Sequence, residues 1–467
     1  MNDDKSYFFC GIGGSGMLPL ALIVQGRGGR VAGSDRTLDQ GKLTPKFDFL
    51  RARGIPLFAQ DGSGITGPDQ ILVASAAVEE SVPDVVRARE VGAERMTRAQ
   101  LLAELFNDAA IRIAVAGTSG KSTVTGMIGW ILHAVGRDPT IMNGAVMKNF
   151  VTPDAPFATA LVGGGDAFVS EVDESDGSIA LYRPNVAVLN NVSLDHKPME
   201  ELRQLFGDFI DHDGLVIVNA DDPEAAALLA GRDPDLALTF SVGGGPGPHK
   251  LVAANIAEEP FAISFDVIDG TEPAGRVRLG VPGRHNVANA LAALLAVGGA
   301  GVALPDAMGA IEGFAGLKRR FEKVGEAGGV TVIDDFGHNP DKIAATLRTL
   351  HAFAGRLLIF FQPHGFGPLK TMGRELAATF ADSMSDDDVL IMPNPVYHGG
   401  TTDRSVGSET VVAAVAQRGR RAEHHAERAA CGERLVELAR PGDRIVVMGA
   451  RDDTLSVFAQ ELVTRLG

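Results

Sequence analysis

Short, dense apolar runs that break off at polar or glycine-rich turns recur along the whole chain, and most of them are followed by apolar residues at helical spacing. Tyr7-Phe8-Phe9-Cys10 is the first run, and 17–24 predicts a helix behind it. Residues 30–35, 70–76, 111–116, 167–171, 185–189, 216–219, 330–333, 357–361, 388–392 and 444–448 predict further strands. Helices are expected at 81–91, 121–134, 287–297 and onward from 341. Strands alternating with helices imply parallel sheets covered on both faces. The stretch 239–278, with Gly243-Gly244-Gly245-Pro246-Gly247-Pro248, reads instead as loops and antiparallel strands.

Two of the turns are phosphate loops by pattern. In the first, Gly11, Gly13 and Gly16 give G-x-G-x-x-G between a strand and a helix, and the next strand ends in Ser34-Asp35, where a dinucleotide fold places its ribose-binding acid. In the second, Gly117-Thr118-Ser119-Gly120-Lys121-Ser122-Thr123 joins strand 111–116 to helix 121–134. Glycines let backbone amides close on phosphate oxygens, the helix N-terminus adds positive potential, Lys121 supplies a cation, and Ser122 is placed to ligate Mg²⁺. Val115 stands where the longer form of the motif has glycine, so the match is to G-T-x-G-K-[ST].

Other strand ends carry reactive groups. Strand 167–171 delivers Glu171, Asp173, Glu174 and Asp176, strand 185–189 leads to Asn190-Asn191 and His196, and His285-Asn286 opens an Ala/Leu-rich helix. Ligands of open α/β sheets bind beyond the carboxyl ends of the strands, which brings the groups after 171 and 189 to the second phosphate loop and sets His285 and Asn286, at their helix start, to face a ligand. The resulting expectation is α/β with three domains: a Rossmann-like N-terminal domain over 1–108, a central P-loop ATPase-like domain over 109–315 and a C-terminal Rossmann-like domain over 316–467, with a basic linker at 313–321.

Charge and cysteine content narrow the function. A formal net charge of −16 excludes a general nucleic-acid or membrane-surface binder, while a small anionic ligand in a local pocket stays compatible. Cys10 and Cys431, the only cysteines, exclude a disulfide framework and a cysteine zinc site. Without a signal-like or membrane-length apolar run, a cytoplasmic protein is expected. The first loop alone also suits an NAD-dependent oxidoreductase, a reading that leaves the second loop unexplained.

Taken in order, Phe9-Cys10-Gly11-Ile12-Gly13-Gly14-Ser15-Gly16-Met17, Gly33-Ser34-Asp35, 116–123, 171–176, 282–286, Arg319-Arg320-Phe321 and Asp334-Asp335-Phe336-Gly337-His338 resemble the Mur ligases, ATP-dependent amide-forming enzymes of peptidoglycan synthesis. The resemblance covers nearly the whole chain. It implies that Gly11, Gly13, Gly14, Ser15, Gly16, Met17, Ser34, Asp35 and Ser75 hold a UDP-sugar. It also implies that Gly117, Thr118, Ser119, Gly120, Lys121, Ser122, Thr123, His285, Asn286, Arg320, Asp335 and His338 bind ATP. By the same resemblance Ser122, Glu171 and His196 hold Mg²⁺, and Lys121 and His196 are catalytic. The implied reaction joins L-alanine to the carboxylate of UDP-N-acetylmuramate through an acyl phosphate; attachment of a preformed tripeptide is the alternative within the family.

The chain departs from the family where the amine donor is expected. Phe-Gln-Pro-His-Arg-[Tyr/Phe]-x-Arg reads Phe361-Gln362-Pro363-His364-Gly365-Phe366-Gly367-Pro368 here, so two carboxylate-gripping arginines are missing, and Lys370 or Arg404 is the nearest substitute. Asn339 also replaces the second His of Asp-Tyr-Gly-His-His-Pro, and Ser119 replaces a His in the phosphate loop.

Overall fold

A computed structural model describes residues 5–467 apart from 77, 176, 195–196, 246, 397–403, 451 and 453. It contains three sheets. The first is parallel throughout, in the order Leu57–Phe58, Arg30–Ser34, Ser6–Cys10, Gln70–Ala74, Glu94–Thr97. Its middle strand buries Phe8 and Phe9 completely, because helices cover both faces and leave no polar side for alternation.

The second sheet has ten strands. Its catalytic-looking part is the parallel trio Val186–Leu189, Ile111–Ala116, Ala167–Glu171, with the phosphate-loop strand in the middle. Register pairs Leu189 with Ala116 and Val115 with Glu171, so the three strands end on one edge. The 239–278 stretch is more regular than the sequence suggests. Ala237–Val242 runs parallel to Leu251–Glu259, whose other neighbour in the sheet is Ala262–Asp269, and Ala262–Asp269 pairs antiparallel with Glu272–Leu279.

Packing joins the first two sheets. Met1–Glu258, Ile263–Gly280 and Arg284–Gly316 form one compact unit, and one apolar cluster runs through Phe9, Ile23 and Phe106 into Phe168, Leu189 and Phe206. Phe106, from helix Arg98–Asn107, meets the rings of Phe168 and Tyr182 edge-on at 5.6 and 5.2 Å. A Cβ on Gly26 would lie 2.7 Å from Val162, so glycine there lets the helix Met17–Gly26 approach the second sheet. Truncating a fully buried phenylalanine such as Phe106 costs about 3–5 kcal/mol, which makes this a structural joint.

The second unit comprises Glu259–Ala262, Val281–Gly283 and Leu317–Gly467. Its six-stranded sheet runs Glu322–Ala327, Val330–Asp335, Arg444–Gly449, Leu357–Gln362, Val389–Met392, Arg421–His424, parallel except for the first, antiparallel strand. Asp334 and Asp335 belong to the strand itself, where the sequence ends it at Ile333.

Candidate active site

The second phosphate loop is held by its neighbouring strand end. Gly117 and Gly120 have φ of +130° and +86°, which L-residues with a Cβ rarely adopt. Asn191 Oδ1 accepts from Thr118 Oγ1 and from Ser119 N, both at 2.8 Å, while Asn190 and Asn191 each donate to Ser119 O at 3.2 and 3.0 Å. Asn190 also donates to Asn289 Oδ1 at 3.0 Å, and Asn289 donates to Asn286 Oδ1 at 3.0 Å. Asn286 therefore faces this amide chain within its own unit, and the exposed His285 precedes it on the helix Arg284–Gly299.

Lys121 begins the helix Lys121–Ala134 and folds back over the loop. Its Nζ donates to Gly117 O at 2.6 Å and to Glu174 Oε2 at 2.8 Å, with Glu174 only 5 % exposed. Ser122 Oγ donates to Glu171 Oε2 at 2.6 Å. A Cβ at position 144 would stand 2.0 Å from Glu171 Oε1, so Gly144 makes the recess that this carboxylate occupies. Asp173 is pushed up by burial, yet the Ser175 hydrogen bond and the charges of Lys121 and Arg98 hold its carboxyl below the ordinary range. His196 lies outside the described residues.

The first glycine loop uses several expected ligand-facing groups for its own construction. Gly11 N and Ile12 N donate to Ser34 O at 2.8 and 2.9 Å, and Gly13 N donates to Asp35 Oδ2 at 2.8 Å. Asp35 Oδ1 caps the next helix through Thr37 N and Thr37 Oγ1 at 2.8 and 2.6 Å, so both carboxylate oxygens are engaged. Ser34, fully buried, donates inward to Asp84 Oδ2, and Asp84 Oδ1 accepts from Gly62 N at 3.0 Å. Burial raises the Asp84 carboxyl against these hydrogen bonds, and burial beside Asp84 pushes the Cys10 thiol to about 12. Ser34 and Asp35 thus face into the fold, whereas the exposed Gly14 and Ser15 lie at the loop surface with Gly16 and the half-buried Ser75. Met17 is buried as the first residue of its helix.

Two cations that the sequence motifs did not single out flank this loop. Lys46 Nζ donates to Gly13 O at 3.0 Å, and a Cβ on Gly16 would be 3.1 Å from Arg98 Cδ and 3.3 Å from its Nη1. No pattern marks either residue in the sequence, because each reaches the loop from a separate helix.

In the second unit, Arg320, Asp335 and His338 cluster around Phe336. The Arg320 guanidinium lies 4.3 Å from the Phe336 ring centre, and His338 Nδ1 bonds to Phe336 O at 2.9 Å with its ring edge-on to His364. Asp335 accepts from Phe321 N, Gly337 N and Thr346 Oγ1 at 2.9 Å each, so its carboxylate is built into the turn. Arg319, at φ +59°, is clamped to Asp334 at 3.3 Å and to the carbonyls of Gly449 and Asp452 at 2.7 and 3.0 Å. Gly365, with φ +150°, precedes the helix Phe366–Ser383, where Gly367 has nothing near its Cβ position. Lys370 and Arg404 are exposed, and residues 397–403 of the loop before Arg404 are outside the described set.

Family models match the chain as Mur ligase family, catalytic domain, over 6–109, Mur ligase middle domain over 115–297 and Mur ligase, glutamate ligase domain, over 319–451. The UDP-N-acetylmuramate--L-alanine ligase of Cereibacter sphaeroides is 35% identical over 98% of this chain and 96% of its own length. That of Pelotomaculum thermopropionicum is 34% identical over 100% and 98%. Among solved structures, the UDP-N-acetylmuramate-alanine ligase of Thermotoga maritima superposes with a TM-score of 0.78 at 24% identity, covering 98% of both chains. The murein peptide ligase of Psychrobacter arcticus gives 0.71 at 25% identity, covering 99% of both.

Proposed function

The chain belongs to the Mur ligase family, and from that premise we propose that it uses ATP to activate the carboxylate of UDP-N-acetylmuramate and joins it to L-alanine in peptidoglycan synthesis. The observation that carries this reading is the ordered phosphate loop with Lys121 and Ser122 set against Glu174 and Glu171. No helix among the described residues is long and apolar enough to cross a membrane, in keeping with a cytoplasmic site of action.

Each residue has a part that its chemistry explains. Lys121, released from Glu174, stabilises negative charge on the phosphoryl group passing from ATP to the substrate carboxylate, and the loop amides fix the phosphates. Asn191 holds the loop backbone in the shape that aims those amides. The pair Ser122 Oγ and Glu171 Oε2, oxygens 2.6 Å apart in the recess left by Gly144, suits a small hard cation, and His196 joins them by resemblance. Mg²⁺, when bound there, neutralises phosphate charge. The amine then displaces phosphate from the acyl phosphate, a step that needs no protein nucleophile.

Phosphate release from ATP, measured with UDP-N-acetylmuramate and single amines, tests this reading. Release that depends on both the nucleotide sugar and L-alanine supports it; release with neither of them, or with no amine tried, overturns it. Transfer to a preformed tripeptide is the second reading. Gly365 and Pro368, standing where the family's arginines would narrow the amine site, favour it, and preferential use of the tripeptide in the same assay would establish it.

A further inference from the structure

The chemistry at the second loop needs a base. An amino acid's amine is mostly protonated at neutral pH, and an ammonium has no electron pair with which to attack an acyl phosphate. Three described acids stand at the end of the strand Ala167–Glu171, and the fold treats them differently. Glu171 accepts from Ser122 Oγ at 2.6 Å in the recess left by Gly144, the pair assigned above to a cation. Asp173 Oδ1 accepts from Ser175 N at 2.9 Å, which ties it to its own turn. Glu174, 5 % exposed, is bonded instead to the side chain that the reaction calls away, with Lys121 Nζ 2.8 Å from its Oε2. An ammonium that turns from this carboxylate to a phosphoryl group leaves the two anions within about 6 Å of each other, two hydrogen-bond lengths. All of these groups belong to one compact unit.

We propose that Glu174 is the base that deprotonates the incoming amine, unmasked when Lys121 turns to the transferring phosphoryl group. The proposal rests on the acyl-phosphate reading above and adds a residue to it. A buried carboxylate that loses its cation is left with uncompensated charge, and taking up a proton removes that charge. One proton passes from the ammonium nitrogen to a Glu174 carboxylate oxygen. The freed electron pair forms the C–N bond at the acyl carbon, the C–O bond to phosphate breaks, and phosphate leaves with that bond's electron pair. The nitrogen sheds its second proton to the departing phosphate. When the products leave, Glu174 returns its proton to water and Lys121 returns to the pair seen here. While that pair holds, an amine that arrives before ATP meets no base.

The test compares two nucleophiles on the full chain supplied with ATP and UDP-N-acetylmuramate. L-alanine, or the tripeptide where wild type prefers it, must lose a proton before it attacks. Hydroxylamine is unprotonated at neutral pH and traps the acyl phosphate as a hydroxamate without a base. Glu174→Gln should lose about 10²–10³-fold in ligation, as removal of a general base predicts, while hydroxamate formation stays within about threefold of wild type. Glu174→Asp, which keeps the charge but draws it back by one methylene, should show the same split in smaller measure. Equal loss of both products in the two variants assigns Glu174 to the construction of the loop and overturns the proposal. Ligation by Glu174→Gln at the wild-type rate overturns it too, and leaves the carboxylate only a resting place for Lys121. A wild type that forms neither product removes the acyl-phosphate reading, and this assignment with it.

Discussion

Replacing Lys121 by alanine should damage two things that a double variant can separate. The ammonium lies 2.8 Å from Glu174 Oε2, and the side chains are 19% and 6% exposed. Removing one partner of a buried pair costs about 3–5 kcal/mol, because the remaining charge is left without compensation. The part of Lys121 still in contact with solvent reduces this to about 2–4 kcal/mol. The melting temperature of the unit that holds the loop should fall by about 5–10 °C. Ligation should fall by at least about 10³-fold, since the transferring phosphoryl group loses its cation. In Lys121→Ala/Glu174→Gln the uncompensated charge is gone, so most of the lost melting temperature should return while ligation stays absent. Differential scanning calorimetry and phosphate release measured on the same preparations decide the matter. Wild-type melting in Lys121→Ala would refute the buried-pair argument, and ligation restored in the double variant would refute the catalytic role.

Glu171→Ala should raise the Mg²⁺ concentration needed for half-maximal activity by about ten- to a hundredfold, as loss of a carboxylate ligand predicts; an unchanged Mg²⁺ titration removes Glu171 from the site. Asp84 binds its proton more tightly in the folded chain than in the unfolded one, so wild-type stability falls as pH rises from the unfolded carboxylate value of about 4 through the raised folded value. Asp84→Asn can still bond to Ser34 and Gly62 but does not titrate, so its melting temperature relative to wild type should climb as pH rises above about 4; parallel curves would show that burial does not perturb this carboxyl. At the amine site, Pro368→Arg, which restores the second arginine of the family pattern, should lower the KM for L-alanine by roughly tenfold, whereas Gly365→Arg should cost about 1–3 kcal/mol of stability because its φ of +150° suits glycine. Competition kinetics with L-alanine, glycine, L-serine and the tripeptide check this, and exclusive tight use of L-alanine by wild type would refute the idea of a roomy pocket.

The strands that carry the chemistry were legible because central parallel strands are continuous apolar runs, as 111–116 and 357–361 show. Edge strands were not: Glu94–Thr97 and Glu322–Ala327 are short and mostly exposed or half-buried, and carry no such run. Spacing placed the acid cluster after 167–171 at the phosphate loop but could not say which acid meets the lysine; the backbone turn after Glu171 decides for Glu174. For Ser34, Asp35 and Asp335 the type of residue was informative and the direction was not. Short polar side chains at strand ends satisfy nearby protein groups as readily as they meet a ligand: here Gly13 N, Thr37 N, Phe321 N and Gly337 N take the Asp35 and Asp335 oxygens, and the Ser34 hydroxyl goes to Asp84. Lys46 and Arg98 had no sequence signal, since their proximity to the glycine loop exists only after three helices have packed.

The apolar joint through Phe106, Phe168 and Tyr182 fixes the separation between the two glycine loops, because both belong to the unit it cements. A molecule anchored by its phosphates at one loop must then present its reacting carboxylate at the other across a span it cannot adjust. The joint therefore works as a length gauge: nucleotide sugars with one methylene added to or removed from the arm that bears the carboxylate should still bind at the first loop and yet fail to accept a phosphoryl group at the second.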